Sequence, residues 1–139
     1  MNRAQETVLF SADYSQIELR IMAHLSNDEE MIHSFEKEED IHRDIASKIY
    51  EVSVDEVDDE MRRRAKTINF GVLYGMSAYS LSQELKITNR EAKDFIEKYF
   101  SRFPKIKDFI EETIAFAQEK GYVSTIFHRK RYVPEINSS

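Results

Sequence analysis

The chain contains no cysteine and no tryptophan, and only three glycines and two prolines among 139 residues. Without cysteine there is no disulfide scaffold, no thiolate metal site and no thiol nucleophile. No apolar run approaches the roughly 18 residues that a membrane span needs, so no transmembrane segment and no membrane partner are expected. Met1-Asn2-Arg3-Ala4-Gln5-Glu6 lacks the apolar centre of a signal peptide, which makes a soluble, intracellular protein the expectation. Scarce glycine and proline leave few breakpoints and favour long helices. The length suits one modest domain able to bury about two-thirds of its unfolded surface.

Charge is present but unevenly placed. The net charge is −6. Residues 28–60 carry fourteen acidic and three basic side chains, whereas residues 61–139 carry fifteen basic and nine acidic ones. Such an asymmetry can set a positive surface against phosphates, or simply give two solvated helix faces.

The front of the chain reads as a strand. Thr7-Val8-Leu9-Phe10-Ser11-Ala12-Asp13-Tyr14 alternates, with Val8, Phe10 and Ala12 on one face and Asp13 at the far end on the other. Ser15-Gln16-Ile17-Glu18 has the form of a capping box, Ser15 as N-cap and Glu18 three residues on. The helix it opens would bury Ile17, Ile21, Met22 and Leu25. Apolar stripes predict further helices over 28–35, 41–50, 58–74 (closed by Gly75) and 77–86. Thr88-Asn89-Arg90-Glu91 is a second capping box, and its helix presents Ala92, Phe95, Ile96, Tyr99 and Phe103. Pro104 suits the first turn of a last helix, lined by Ile106, Phe109, Ile110, Thr113, Ile114 and Ala117 and stopped by Gly121. Tyr122–Phe127 and Arg131–Val133 flank the basic turn His128-Arg129-Lys130 as a hairpin. A lone strand in front and a hairpin behind leave edges that want partners, so the chain is expected to be part of something larger.

The strongest local signal lies in the 58–74 helix. Arg62, Lys66, Phe70 and Tyr74 recur every four residues, and at 100° per residue they fall within about 120° of one face. Successive members stand about 6 Å apart along the axis, the length scale of a nucleotide: two cations for a triphosphate, then an aromatic plane for a base. Gly71 and Gly75 keep the neighbouring surface small. An ordinary amphipathic helix with a buried Phe–Tyr stripe accounts for the same pattern. Asp13, ending a strand, can offer a carboxylate to Mg²⁺ with the Tyr14 carbonyl as a second oxygen, or can be a turn aspartate. His42 alone is a surface or helix-start histidine, and the basic turn 128–131 is either a phosphate contact or a solvated charge run.

Taken in order, these segments resemble a known family. Asp13-Tyr14-Ser15-Gln16-Ile17-Glu18-Leu19-Arg20 is similar to the first acidic motif of family A DNA polymerases, the bacterial DNA polymerase I type. Arg62 through Gly75, reading RRRAKTINFGVLYG, resembles that family's nucleotide-binding fingers helix. Asp40-Ile41-His42-Arg43 and the stretches Gly121-Tyr122-Val123 and Arg131–Ile136 also resemble family segments. The resemblance covers nearly the whole chain from Leu9 onward. It implies that Asp13, with the Tyr14 carbonyl, holds catalytic Mg²⁺; that Arg62, His42 and Lys66 grip the triphosphate, Lys66 also helping to protonate pyrophosphate; and that Phe70 stacks on base and sugar. Tyr74 would close the pocket near the template base. Glu18 would exclude a ribose 2′-hydroxyl, and Gln16 would line the pocket toward the minor groove.

The implied architecture is mostly α with minor β. A palm strand and helix would span 1–27, a helical fingers subdomain 28–121, and the start of a returning palm hairpin 122–139. Partners would be primer-template DNA, deoxynucleoside triphosphates and the remaining palm and thumb, in the bacterial cytoplasm at the nucleoid. The family's second acidic motif, a His-Asp-Glu triplet, does not occur; His42-Arg43-Asp44 is not that triplet. One aspartate supplies half of a two-metal site, so this chain alone is expected to be inactive. His128 stands where family members often carry glycine or another small residue. The rival reading is a non-catalytic helical module that binds nucleotide or nucleic acid, and a third is a purely structural helical domain.

Overall fold

Helix boundaries follow the side chains that can close them. In the computed structural model, which describes residues 8–37 and 40–138, seven helices run in sequence: α1 (Ile17–Ser26), α2 (Glu29–Glu36), α3 (Ile41–Tyr50), α4 (Asp59–Leu73), α5 (Ala78–Leu85), α6 (Asn89–Arg102) and α7 (Pro104–Lys120). Asp28, Asp40, Asp58, Ser77 and Thr88 cap α2 to α6, each side chain accepting from a backbone N–H of the first turn. Thr88 and Glu91 form the expected capping box, and Pro104 opens α7. Strands β1 (Tyr122–Ser124) and β2 (Lys130–Tyr132) pair antiparallel with Val123 opposite Arg131, giving the expected hairpin in shortened form. At its turn His128 takes a left-handed conformation, φ 63°. The mostly helical architecture with a small sheet is as expected, and no helix among the described residues is long and apolar enough to cross a membrane.

All seven helices meet in one core. Ala23, Met31, Ile45, Ile49, Ile68, Val72, Leu81, Leu85, Ala92, Tyr99, Phe103 and Ile106 are buried together, and Phe95, Ile96 and Ile110 pack against them. Ala46, Val57 and Ala65 make a smaller second cluster beneath Tyr50 and Met61. Small side chains there let α3 and α4 approach closely.

Three expectations at the front of the chain fail. Residues 8–14 form no strand, and Leu9 is 96% exposed; Thr7 lies outside the described residues. A strand is stabilised by a pairing partner, and the two described strands are occupied with each other. The Ser15–Glu18 capping box does not form either. Gln16 adopts a left-handed conformation (φ 52°) and is itself the N-cap, without a side-chain cap. The helix therefore starts one residue late, Glu18 sits in its second position, and the Ser15 carbonyl accepts instead from Arg20 Nε at 3.2 Å. Finally, α1 buries Leu19 and Ala23, with Met22 packed on the core, while Ile17, Ile21 and Leu25 stay open to solvent.

Two buried aspartates tie the helices. Asp28 Oδ1 accepts from Met31 N at 3.0 Å and its Oδ2 from Lys105 N at 3.2 Å, joining the start of α2 to the first turn of α7. Asp28→Ala leaves two inward N–H groups unpaired and is expected to cost about 2–3 kcal/mol; Asp28→Asn, keeping one acceptor, should lose less. Urea denaturation of the three proteins measures this.

Asp44, 2% exposed, accepts from Ser34 Oγ and faces Lys48 Nζ at 3.0 Å and Lys37 Nζ at 3.5 Å. Burial by itself would push its carboxyl up, but the Ser34 and Lys48 hydrogen bonds and the two lysine charges outweigh it and hold the carboxyl below its ordinary range. A carboxyl depressed on folding stabilises the fold above its unfolded value, near pH 4, and that contribution disappears as pH falls toward the folded value. Wild type should therefore lose stability on acidification through and below about pH 4. Asp44→Asn, less stable at neutral pH, should lose less; thermal melts from pH 7 to pH 3 check the slopes.

Candidate functional site

The site is built where the end of α4 meets the turn before α1. On α4, Ala65, Ile68, Asn69 and Val72 face the core, and Arg62, Lys66, Phe70 and Tyr74 form a stripe that starts at the edge of that buried face and turns away from it toward solvent. The helix stops because Gly75 turns left-handed (φ +67°), with its N–H donating to Val72 O at 3.1 Å. Tyr74 is thereby left two-thirds exposed, and its hydroxyl donates to Glu18 Oε1 at 2.6 Å. The neighbouring carboxylate raises the Tyr74 phenol above its ordinary value. Glu18, freed from capping by the left-handed Gln16, thus bridges α1 to α4.

Between these elements lies a cavity of about 300 Å³ lined by Asp13, Tyr14, Gln16, Glu18 and Phe70, together with Ile17 and Leu19. The fold therefore assembles five of the sequence-predicted residues around one space and adds Tyr74 through its bond to Glu18. Arg62, Lys66 and His42 lie farther back along α4 and α3. Lys66 is exposed and forms no ion pair with any described residue.

Arg62 is not free. Its Nε donates to Asp40 Oδ2, while Asp40 Oδ1 accepts from the N–H groups of His42 (3.1 Å) and Arg43 (3.3 Å). Burial alone would raise the Asp40 carboxyl, but Arg62 and these backbone donors hold it below its ordinary range. His42 is 3% exposed. Burial, with the charges of Arg62 and Lys66, lowers its imidazole below the ordinary value against the opposing pull of Asp40, so the ring is neutral at pH 7. His42 Nδ1 lies 3.1 Å from Asn69 Nδ2, and its ring is tilted 45° to that of Phe70 at 6.2 Å between centroids. The arrangement offers phosphate-binding donors at one end and an aromatic face and carboxylates at the other.

Among the described residues no three His, Asp or Glu side chains converge to hold a metal ion. Asp13 and Tyr14 nevertheless both line the cavity, and a carboxylate with a backbone carbonyl is the hard-oxygen donor type that suits part of the octahedral shell of Mg²⁺.

Two members of the arrangement were missed in the sequence. Asp40 had the signal of an aspartate directly before an apolar-periodic helix, but nothing local announces its pairing with Arg62. Asn69 was detectable as a polar residue inside the stripe Ala65, Ile68, Val72, where an apolar residue belongs.

The chain is 48% identical to DNA polymerase I of Caldicellulosiruptor bescii over 132 residues, which covers 95% of this chain and 16% of that protein. It is 55% identical over 130 residues to the thermostable DNA polymerase I of Thermus thermophilus, covering 94% of this chain and 16% of that enzyme. Among solved structures it is similar to the POL domain of Pol1 from M. smegmatis, in complex with DNA primer-template and dNTP. That match has a TM-score of 0.86 at 49% identity, over 91% of this chain and 22% of the other. The chain thus spans about a sixth of the length of these curated relatives. The family model described as DNA polymerase family A matches residues 1–139, every residue present, and the chain belongs to that family.

Proposed function

We propose that this chain forms the nucleotide-binding side of a DNA-directed DNA polymerase active centre. The parent reaction adds a deoxynucleotide to a primer 3′ end and releases pyrophosphate. The observation that carries the reading is the meeting of two elements: Phe70 of α4 faces Asp13, Tyr14, Gln16 and Glu18 across one cavity, Tyr74 at the end of α4 bonds to Glu18, and Arg62 and Lys66 continue the same stripe of α4 away from it. Lys66 and Arg62 would take phosphate oxygens with charge-assisted hydrogen bonds, Arg62 doing so while exchanging or sharing Asp40. Lys66, as the exposed ammonium, would also protonate the leaving pyrophosphate. Neutral His42 adds a donor rather than a charge. Phe70 provides the stacking plane for base and sugar, and Gln16 lines the cavity toward the minor groove. Asp13 and the Tyr14 carbonyl would hold Mg²⁺, which when bound stabilises charge on the phosphates.

In this reading residues 28–121 are the fingers, while 1–27 and 122–139 belong to the palm. Primer-template DNA, deoxynucleoside triphosphates and the remaining palm and thumb are the partners, in the bacterial cytoplasm at the nucleoid. A specific observation favours binding without chemistry in the chain by itself. Of the two carboxylates among the residues lining the cavity, Glu18 is engaged by Tyr74, which leaves Asp13 as the one unengaged carboxylate there.

Binding of nucleotides to the 139-residue chain tests the phosphate end. A triphosphate is expected to bind more tightly than a monophosphate, and Lys66→Ala should remove most of that preference, roughly tenfold for a lost charge-assisted bond. The preference should also weaken with salt. Equal affinities for both nucleotides in wild type and variant return Lys66 to a solvated face.

Glu18 tests the sugar end. In a polymerase carrying this segment in place of the matched stretch of the Thermus aquaticus enzyme, Glu18→Ala should raise ribonucleotide incorporation relative to deoxynucleotide, because it opens space where a 2′-hydroxyl would lie. Glu18→Gln keeps the volume and an oxygen for Tyr74, and should retain most of the exclusion. The measurement is the ratio of incorporation efficiencies for matched nucleotides; a ratio that stays flat places the sugar gate elsewhere.

A further inference from the structure

Asn69 is fully buried on α4 among Ala65, Ile68 and Val72, a setting in which an aliphatic side chain would pack without an unpaired polar atom. Its carboxamide makes one described contact, Nδ2 to His42 Nδ1 at 3.1 Å, and its Oδ1 is buried with no hydrogen-bond partner among the described residues. A buried amide half satisfied in this way asks for a reason outside stability. The surroundings of the ring supply one. His42 is faced by Asp40 at the cap of α3, by Arg62 and Lys66 from α4, and by the Phe70 ring.

Two orientations of the carboxamide are chemically distinct. If the N–H points at Nδ1, that nitrogen is an acceptor and the neutral ring carries its proton on Nε2. If Oδ1 points there, the proton sits on Nδ1 and Nε2 becomes a lone pair, which repels phosphate oxygens. Only the first suits a ring beside Arg62 and Lys66 in an anion site.

We propose that Asn69 is a positioning residue for His42: its buried N–H holds the ring in the Nε2–H tautomer, so that His42 meets an incoming triphosphate as a neutral donor. This rests on reading the α4 face as the triphosphate site. The histidine then contributes a directed hydrogen bond while Lys66 and Arg62 contribute charge. Asn69 acts through His42 and touches no substrate itself.

The test uses the 139-residue chain, with ¹⁵N-labelled histidine and dATP against dAMP. Long-range ¹H–¹⁵N correlations at pH 7.5 should show His42 in the Nε2–H tautomer in wild type and a tautomer mixture in Asn69→Leu. The triphosphate affinity should fall roughly threefold to tenfold in Asn69→Leu, the worth of one hydrogen bond, and about equally in His42→Ala. The double variant should lose no more. Dispersed amide spectra establish that each variant is folded. If Asn69→Leu does not fold, Asn69→Asp serves, since its carboxylate accepts only: the ring should switch to Nδ1–H and titrate at higher pH than in wild type. An unchanged tautomer in either folded variant overturns the proposal, as does a triphosphate preference that survives Asn69→Leu undiminished. Wild type showing the Nε2–H tautomer but no triphosphate preference overturns the nucleotide-site reading itself, and with it the role given to His42.

Discussion

The seam between α3 and α4 is the contact on which the candidate site depends. Ile68 and Val72 of α4 are buried in one core with Ile41, Ile45 and Ile49 of α3, and Ala65 sits against Ala46 in the smaller cluster. Burying this stripe fixes the rotation of α4 about its axis. At 3.6 residues per turn, a fixed rotation decides where every other side chain points. Arg62, Lys66, Phe70 and Tyr74 are held in line as a consequence of how the neighbouring stripe is buried. The seam also carries its polar contacts, Arg62 to Asp40 and Asn69 to His42, so the same surface that stabilises the helix orients the groups closest to the proposed phosphate site.

The acidic middle of the chain is more than a solvated face. Asp28, Asp40 and Asp58 each cap a helix, where a carboxylate meets unpaired N–H groups and the positive end of the helix dipole. Asp44 is buried in a network with Ser34, Lys37 and Lys48. These carboxylates help to hold the helices that support α4, while Lys66 forms no ion pair with any described residue.

At the front of the chain the balance is different. Gln16 accepts a left-handed backbone, an uncommon state for a residue with a Cβ, which costs on the order of 1 kcal/mol. The same kink starts α1 one residue late and releases Glu18 toward Tyr74. A capping box would have been the better local solution. The bond across the cavity has its place because that local solution is not taken.

How much was legible depended on the range of the interaction. Helix positions, the second capping box, Pro104, the stop at Gly121 and the face shared by Arg62, Lys66, Phe70 and Tyr74 follow from spacing within a few residues. The motif order pointed to the family for the same reason: Asp13 to Glu18 and Arg62 to Gly75 are contiguous. What sequence alone could not decide was every choice made against a distant competitor. The 8–14 strand needs a partner that no adjacent residue provides. The burial of α1 through Leu19 and Ala23 rather than Ile17, Ile21 and Leu25 depends on where the other helices lie. The engagement of Arg62 by Asp40, of Tyr74 by Glu18 and of His42 by Asn69 joins residues 22, 56 and 27 positions apart, and only the packed structure brings them within hydrogen-bonding distance.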